Sequence, residues 1–137
     1  MREIKFRAWD KTDKEMVNVD LIVFNDKTTL EKAHILDERN DVHYLNDVEL
    51  MQYTGLKDKN GVEIYEGDII EHHYGLTKVI YGRSHNEMGE LRESVGFLRV
   101  GINNNDLWCT TSLTYGLKSY EVIGNIYQNP ELLEIKC

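Results

Sequence analysis

His72 and His73 are the neighbours whose residue type most readily suggests a metal ion or a proton relay. Adjacent residues on a strand point to opposite faces, so the two rings cannot close on one ion from an extended backbone, and no glutamate follows them at zinc-protease spacing. His34, His43 and His85 stand singly among polar residues and are expected in solvent. Asp68, directly after Gly67, has the chemistry of a general base, yet a short carboxylate at a reversal more commonly accepts backbone N–H groups and sets the entry of the next strand. Ser84, Ser94, Ser112 and Ser119 lack the setting of a nucleophile elbow. No glycine run has the form of a phosphate loop. Cys109 and Cys137 are far apart, one at the last position, which supports neither a disulfide framework nor a metal site and suits reduced thiols in a reducing cytosol. These residues assemble no catalytic, metal or cofactor set, and an enzyme is the least supported class.

Aromatic side chains offer a different chemistry. Trp9, Tyr53, Tyr65, Tyr74, Tyr81, Trp108 and Tyr127 include residues able to stack on the bases of a single strand, a common mode in small barrels. Core and edge packing is the better account of any one of them. A nucleic-acid surface would also need interleaved cations, and the one basic concentration, Lys5, Arg7, Lys11 and Lys14, is diluted by Glu3, Asp10, Asp13 and Glu15. Sixteen basic against twenty-four acidic residues leave a formal charge of -8, which repels a phosphate backbone at long range. Binding to generic duplex DNA is therefore disfavoured.

The elements that must position these side chains are short strands. Residues 50–70, LMQYTGLKDKNGVEIYEGDII, read as strand, hairpin turn, strand: Val62, Ile64 and Tyr65 suit a half-buried pleated surface, and Asn60-Gly61 tolerates the positive φ of a type I′ reversal. A second reversal at Glu66-Gly67-Asp68 leads into another strand from Ile69, which is how a small barrel starts. Ahead of it, Ile4, Phe6 and Ala8 alternate with Lys5, Arg7 and Trp9 as in a strand with one face buried, and residues 16–20 return as its hairpin partner. The apolar run 21–24 suits a separate, well-buried strand. Residues 28–36 lean to strand, with helix as the alternative, because Leu30-Glu31-Lys32-Ala33 are good helix formers.

Further on, residues 71–74 and 78–81 form a second hairpin about Gly75, and 82–94 form an exposed loop. Strands 96–102 and 107–112 flank the turn cluster 103–106, and 120–127 is the closing strand, interrupted by Gly124. Asn129-Pro130-Glu131 reads as N-cap, first-turn proline and acid, so a single helical turn should end the fold. No internal repeat is visible. Ile64, Ile69, Val79 and Val122 are the expected core. The length suits one domain, and no apolar run approaches the roughly 20 residues that span a bilayer as a helix.

Three blocks of this pattern carry a resemblance. Met51-Gln52-Tyr53-Thr54-Gly55-Leu56-Lys57-Asp58, Asn60-Gly61 and Glu63-Ile64-Tyr65-Glu66-Gly67-Asp68-Ile69 resemble the central signature of the YopX family, small proteins of bacterial phages and prophages. Arg2-Glu3-Ile4-Lys5-Phe6-Arg7-Ala8-Trp9-Asp10 is similar to the family's opening. Val122-Ile123-Gly124-Asn125-Ile126-Tyr127, with Asn129-Pro130-Glu131-Leu132-Leu133, is similar to its close. The resemblance implies a mostly β fold of short antiparallel strands with an SH3-like barrel, and a phage origin; it brings no activity and no catalytic residues. Its structural signature falls on Gly55, Asn60, Gly61, Tyr65, Gly67, Asp68, Gly124 and Pro130. The expected organisation is a single domain, with a β-rich part carrying the N-terminal hairpin over residues 1–47 and the barrel over 48–137. The expected role is a non-enzymatic accessory protein without cofactor or metal, in the cytoplasm of a bacterial host, binding its own copies or a host or phage protein. A nucleic-acid-binding small barrel is the alternative.

Overall fold

A computed structural model describes residues 3–25, 32–72, 75–84, 94–101, 111–112 and 119–134. Among these the strands are β1 (Phe6–Asp10), β2 (Glu15–Val23), β3 (His34–Asp37), β4 (Val42–Tyr44), β5 (Val48–Lys57), β6 (Glu63–Tyr65), β7 (Asp68–His72), β8 (Gly75–Ser84), β9 (Ser94–Gly101), β10 (Thr111–Ser112) and β11 (Glu121–Asn125). Single 3-10 turns lie at Leu45–Asp47 and Pro130–Glu134. The chain divides into two compact units, Met1–Tyr53 and Thr54–Cys137.

In the first unit β1 pairs antiparallel with β2, from Arg7↔Asn18 to Asp10↔Glu15, and with β5, from Phe6↔Gln52 to Asp10↔Val48. The hairpin between β1 and β2 closes with Lys14 at φ 55. Residues 16–24, expected as two strands, form mostly one: β2 runs unbroken to Val23, with a register shift between Val19 and Leu21. Such a bulge moves the alternation by one residue. Val17, Val19 and Ile22 thereby share the core face with Ala8, Ile35, Val48 and Leu45, while Leu21 turns outward. The expected burial of the run 21–24 is corrected accordingly, since Leu21 is 50% and Phe24 75% exposed. Of residues 28–36, His34 to Leu36 are strand, and 28–31 lie outside the described residues.

In the second unit the core is Ile64, Ile70, Val79 and Tyr120, with Leu56, Phe97 and Val122 packed on it. Ile64, Ile69 and Val79 are buried as expected; Val122 is half-buried against the cluster. The strand β7 pairs with β8, and β8 with β9 from Thr77↔Gly101 to Ser84↔Ser94. Gly82 to Ser84 and Ser94, expected in a loop, therefore extend β8 and open β9, and the rest of that loop, 85–93, lies outside the described residues, as does most of the strand expected at 107–112.

The strand order of the first sheet is β4-β3-β2-β1-β5, continued by β6, and that of the second is β10-β9-β8-β7-β11. Each core order is the same: a four-strand meander whose first strand also pairs with a fifth. The sequence shows no repeat, so the two units share a topology without sharing residues. The arrangement is mostly β, in two antiparallel sheets, and is compatible with an SH3-like barrel, although among the described residues neither sheet closes on itself by strand pairing.

Candidate functional site

Among the described residues of the first unit, ionisable side chains gather where two hairpin turns meet. Asp10 ends β1, and its Oδ1 accepts the backbone N–H groups of Thr12 (2.8 Å) and Asp13 (3.2 Å), which shapes the reversal into β2. Asp37 ends β3 and repeats the device: its Oδ1 accepts from Arg39 (2.8 Å) and Asp41 (3.0 Å), while Asn40 takes φ 64. Each carboxylate turns its second oxygen to His43. The ring lies 2.8 Å from Asp37 Oδ2 through Nε2 and 3.2 Å from Asp10 Oδ2 through Nδ1. His43, expected in solvent, is instead 12% exposed at its side chain, because β4 turns it to the face of its neighbour Ile35. A signal existed in the sequence, since Asp37 and Asp41 bracket a turn and His43 follows two positions later, on the inward side of an alternating Val-His-Tyr.

Burial pushes the Asp37 carboxyl up, but the His43 bond and the N–H groups of Asp41 and Arg39 outweigh it and hold the group down to about 2. Asp10 is likewise opposed by burial and held below its ordinary value by the N–H groups of Asp13 and Thr12, with His43 adding to them. The hydrogen bond to Asp37 raises His43, against burial, and the charges of Asp37 and Asp10 reinforce it. Both ring nitrogens therefore face acceptors, and the ring in this state has no lone pair with which to take a proton from a substrate.

In the second unit the expected signature positions serve the backbone. Gly55, Gly61 and Gly67 take φ 84, 81 and 81. Asn60 stays at negative φ, so the reversal is not the expected type I′: the Gly61 N–H returns to the Asp58 carbonyl (3.0 Å), and glycine alone supplies the left-handed residue. Asp58 is the residue that sequence reasoning passed over. Its Oδ1 accepts from Asn60 (2.8 Å) and Val62 (2.9 Å), and its Oδ2 from Val122 (2.9 Å) on β11. Asp68 Oδ2 accepts the N–H of Tyr65 at 2.8 Å, reaching back across the reversal. The Gly67 N–H donates to Val79 and its carbonyl accepts from Ile126, both at 2.9 Å. Gly124 adjoins the Asn129 side chain, whose Oδ1 accepts from the Asn125 N–H (3.2 Å) instead of capping the helical turn that Pro130 begins.

The remaining candidates do not converge. His72 ends β7 and His73 lies outside the described residues, as do His85, both cysteines, Tyr74 and Trp108. Among the described residues no group of three or more His, Cys, Asp or Glu side chains is arranged to hold a metal ion. Tyr53 and Tyr65 are buried; Tyr81 is exposed, edge-on to Phe97 at 5.3 Å. Four of the basic side chains among the described residues are met by acids: Lys5 by Glu3 (3.1 Å), Lys11 by Glu49 (3.2 Å), Lys59 by Glu121 (3.6 Å) and Arg39 by Glu15 (3.3 Å).

What the first unit does present is an apolar outer face. The pairing puts Leu21, Leu36 and Val42 in one row across β2, β3 and β4, and Val23, His34 and Tyr44 in the next. Leu21, Val42 and Tyr44 are about half exposed, at 50%, 52% and 48%, and Phe24 follows at the strand end. The Tyr44 ring stands edge-on to His34 at 6.1 Å. Beyond β4 the sheet has no further strand among the described residues.

These features define a small antiparallel β protein of two units, each held at its turns by buried carboxylates. The chain belongs to the YopX family, whose model, described as YopX protein, matches residues 5–134. Among solved structures, protein EF1440 from Enterococcus faecalis is 28% identical over 98% of this chain and 100% of its own, with a TM-score of 0.58. Protein yopX from Bacillus subtilis is 20% identical over 97% and 98%, with a TM-score of 0.45. No curated protein matches the chain. No helix among the described residues is long and apolar enough to cross a membrane.

Proposed function

We propose that this protein is a non-catalytic assembly module, an accessory protein of phage or prophage origin in the bacterial cytoplasm, that binds a second copy of itself through the β4 edge and the outer face of β2, β3 and β4. The supporting observation is the pair of rows, Leu21-Leu36-Val42 and Val23-His34-Tyr44, apolar and aromatic but for His34, running out to a strand with one side unpaired. Exposed edge strands are normally charged, bulged or covered, and β4 itself carries no lysine or proline. Antiparallel addition of a second β4 about His43 would place each Val42 beside the partner copy's Tyr44, an apolar-aromatic pair of the kind that stabilises neighbouring strands. Self-association through one shared patch gives a closed, two-fold arrangement.

The rival reading, a nucleic-acid module, needs aromatics and free cations on one face; the ion pairs above and the charge of -8 argue against it. Sedimentation equilibrium of the full chain at micromolar concentration tests the assembly. The expected mass lies above that of the 16.0 kDa monomer and returns to it in Val42→Lys, whose exposed position leaves the fold intact. A wild-type chain sedimenting as a single 16.0 kDa species overturns the proposal.

A further inference from the structure

By strand order β4 is separated from β1 by two intervening strands, β3 and β2. Yet His43 on β4 reaches Asp10 at the end of β1 at 3.2 Å, so the first sheet curls until its fourth strand meets its first. No backbone pairing joins those two strands. The short segment 45–47 returns the chain from β4 to the end of β1, where the Lys11 N–H donates to the Asp47 carbonyl at 3.1 Å, and His43 adds a side-chain contact that depends on a proton.

Asp10 and Asp37 each accept two backbone N–H groups on one oxygen and present the other to the ring. Carboxylates so held are ionised and offer no proton, so both ring nitrogens must donate, and only the imidazolium donates from both. We propose that His43 is a proton-operated latch: protonated, it binds β4 to the end of β1; on losing its proton it lets go of Asp10 and loosens β4. The neutral ring keeps one N–H. The shorter bond, Nε2 to Asp37 at 2.8 Å, retains it, which leaves the Nδ1 lone pair facing the Asp10 oxygen at 3.2 Å, two acceptors in repulsive contact.

The charged groups around the ring come from every element packed on it. Asp10 belongs to β1 and Asp37 to β3; Arg39, from the turn between β3 and β4, lies 3.6 Å from Asp37 Oδ2, and is itself shared with Glu15 of β2 at 3.3 Å and with Asp41 of the same turn at 3.7 Å. Arg39 is thus offset by its own acids, and the field at the ring stays negative. The Asp37 bond, against burial, raises the histidine above its ordinary value, which places release on the alkaline side of that value. The latch goes beyond the assembly reading and stands whether or not a second copy takes the edge.

Two measurements on the full chain test it: a ¹⁵N titration of the His43 ring, and amide exchange at His43 and Leu45, whose N–H groups face β3, corrected for the intrinsic base-catalysed rate. The ring should show two protonated nitrogens at neutral pH and titrate above about 6.5, with protection of these amides falling over the same interval. In Asp10→Asn the amide oxygen still accepts from Thr12 and Asp13, while its NH2 donates to the neutral ring. The titration should then shift to lower pH, and the step in amide protection should disappear. A wild-type ring that titrates at or below about 6.5, or amide protection indifferent to its titration, overturns the latch without need of any variant. So does an Asp10→Asn chain that titrates as the wild type.

Discussion

A buried carboxylate is expensive unless hydrogen bonds replace its water. Asp10, Asp37, Asp58 and Asp68 are exposed by only 6%, 0%, 7% and 1%, and each takes backbone N–H groups at a chain reversal. Asp37 is held at about 2, and Asp10 and Asp58 below their ordinary 3.8. A carboxyl lowered on folding stabilises the native state above its unfolded value and loses that contribution as pH falls through the folded one. His43 runs the other way: its contribution is complete below its ordinary 6.5 and fades as pH rises through the raised value. Denaturant midpoints should therefore be highest between the two ordinary values and decline on both sides; midpoints unchanged on acidification from about pH 5 to pH 2 would contradict the account. Asp58→Ala removes the acceptor of three N–H groups at once. Each donor left buried without a partner costs about 1–3 kcal/mol, so urea unfolding should register a loss of that size or more, and a loss within error would show that water replaces the carboxylate.

At the scale of elements, two glycines separate two kinds of constraint. A side chain added at Gly61 meets nothing within 4 Å, so Gly61→Val is penalised by its φ of 81 alone, roughly 1–2 kcal/mol for a left-handed residue, more when it is β-branched. Gly124 is the reverse case: an added Cβ would collide with the Asn129 side chain that holds Asn125 at the end of β11. Gly124→Ala should destabilise the protein, and by less in an Asn129→Ala background where the obstacle is gone; a double-mutant cycle by urea denaturation showing no such coupling would refute the contact. The same elements show why the sequence was legible in part. Alternation of apolar residues placed β1, β5, β6, β7 and β8, because a half-buried strand imprints a period of two. It misplaced Leu21, because one extra residue at Asp20 reverses the faces and no local signal marks a bulge. It missed His43 for a related reason: a polar residue facing inward is intelligible only with its partners, and those lie on β1 and β3, up to 33 positions away in sequence. The type I′ assignment failed because Asn-Gly also serves a turn in which the glycine alone takes positive φ, and the choice was made by Asp58.

For the molecule as a whole, composition decides what the individual sites do not. The formal charge of -8 sets a repulsive field for any phosphate backbone, and such a field decays over about 10 Å at 0.1 M salt, so only a local concentration of unpaired cations overcomes it on close approach. In the stretch that came nearest to one, Lys5 to Lys14, two of the four cations are already engaged: Lys5 is bound to Glu3 at 3.1 Å and lies over the Tyr53 ring at 5.5 Å, and Lys11 is bound to Glu49 at 3.2 Å. Breaking those exposed pairs costs little each, about 1 kcal/mol or less, but every freed lysine leaves behind a carboxylate that repels the same phosphate. The net gain per cation is correspondingly small. Generic duplex DNA should therefore bind no tighter than ordinary non-specific contacts, about 10⁻⁴ to 10⁻⁶ M at physiological salt. Fluorescence anisotropy with a labelled duplex decides the matter, and the salt series carries the diagnosis. A flat, weak titration is the expected outcome, whereas nanomolar affinity falling steeply with added salt would mean that several phosphates are neutralised at once, and would replace the assembly reading with a nucleic-acid one.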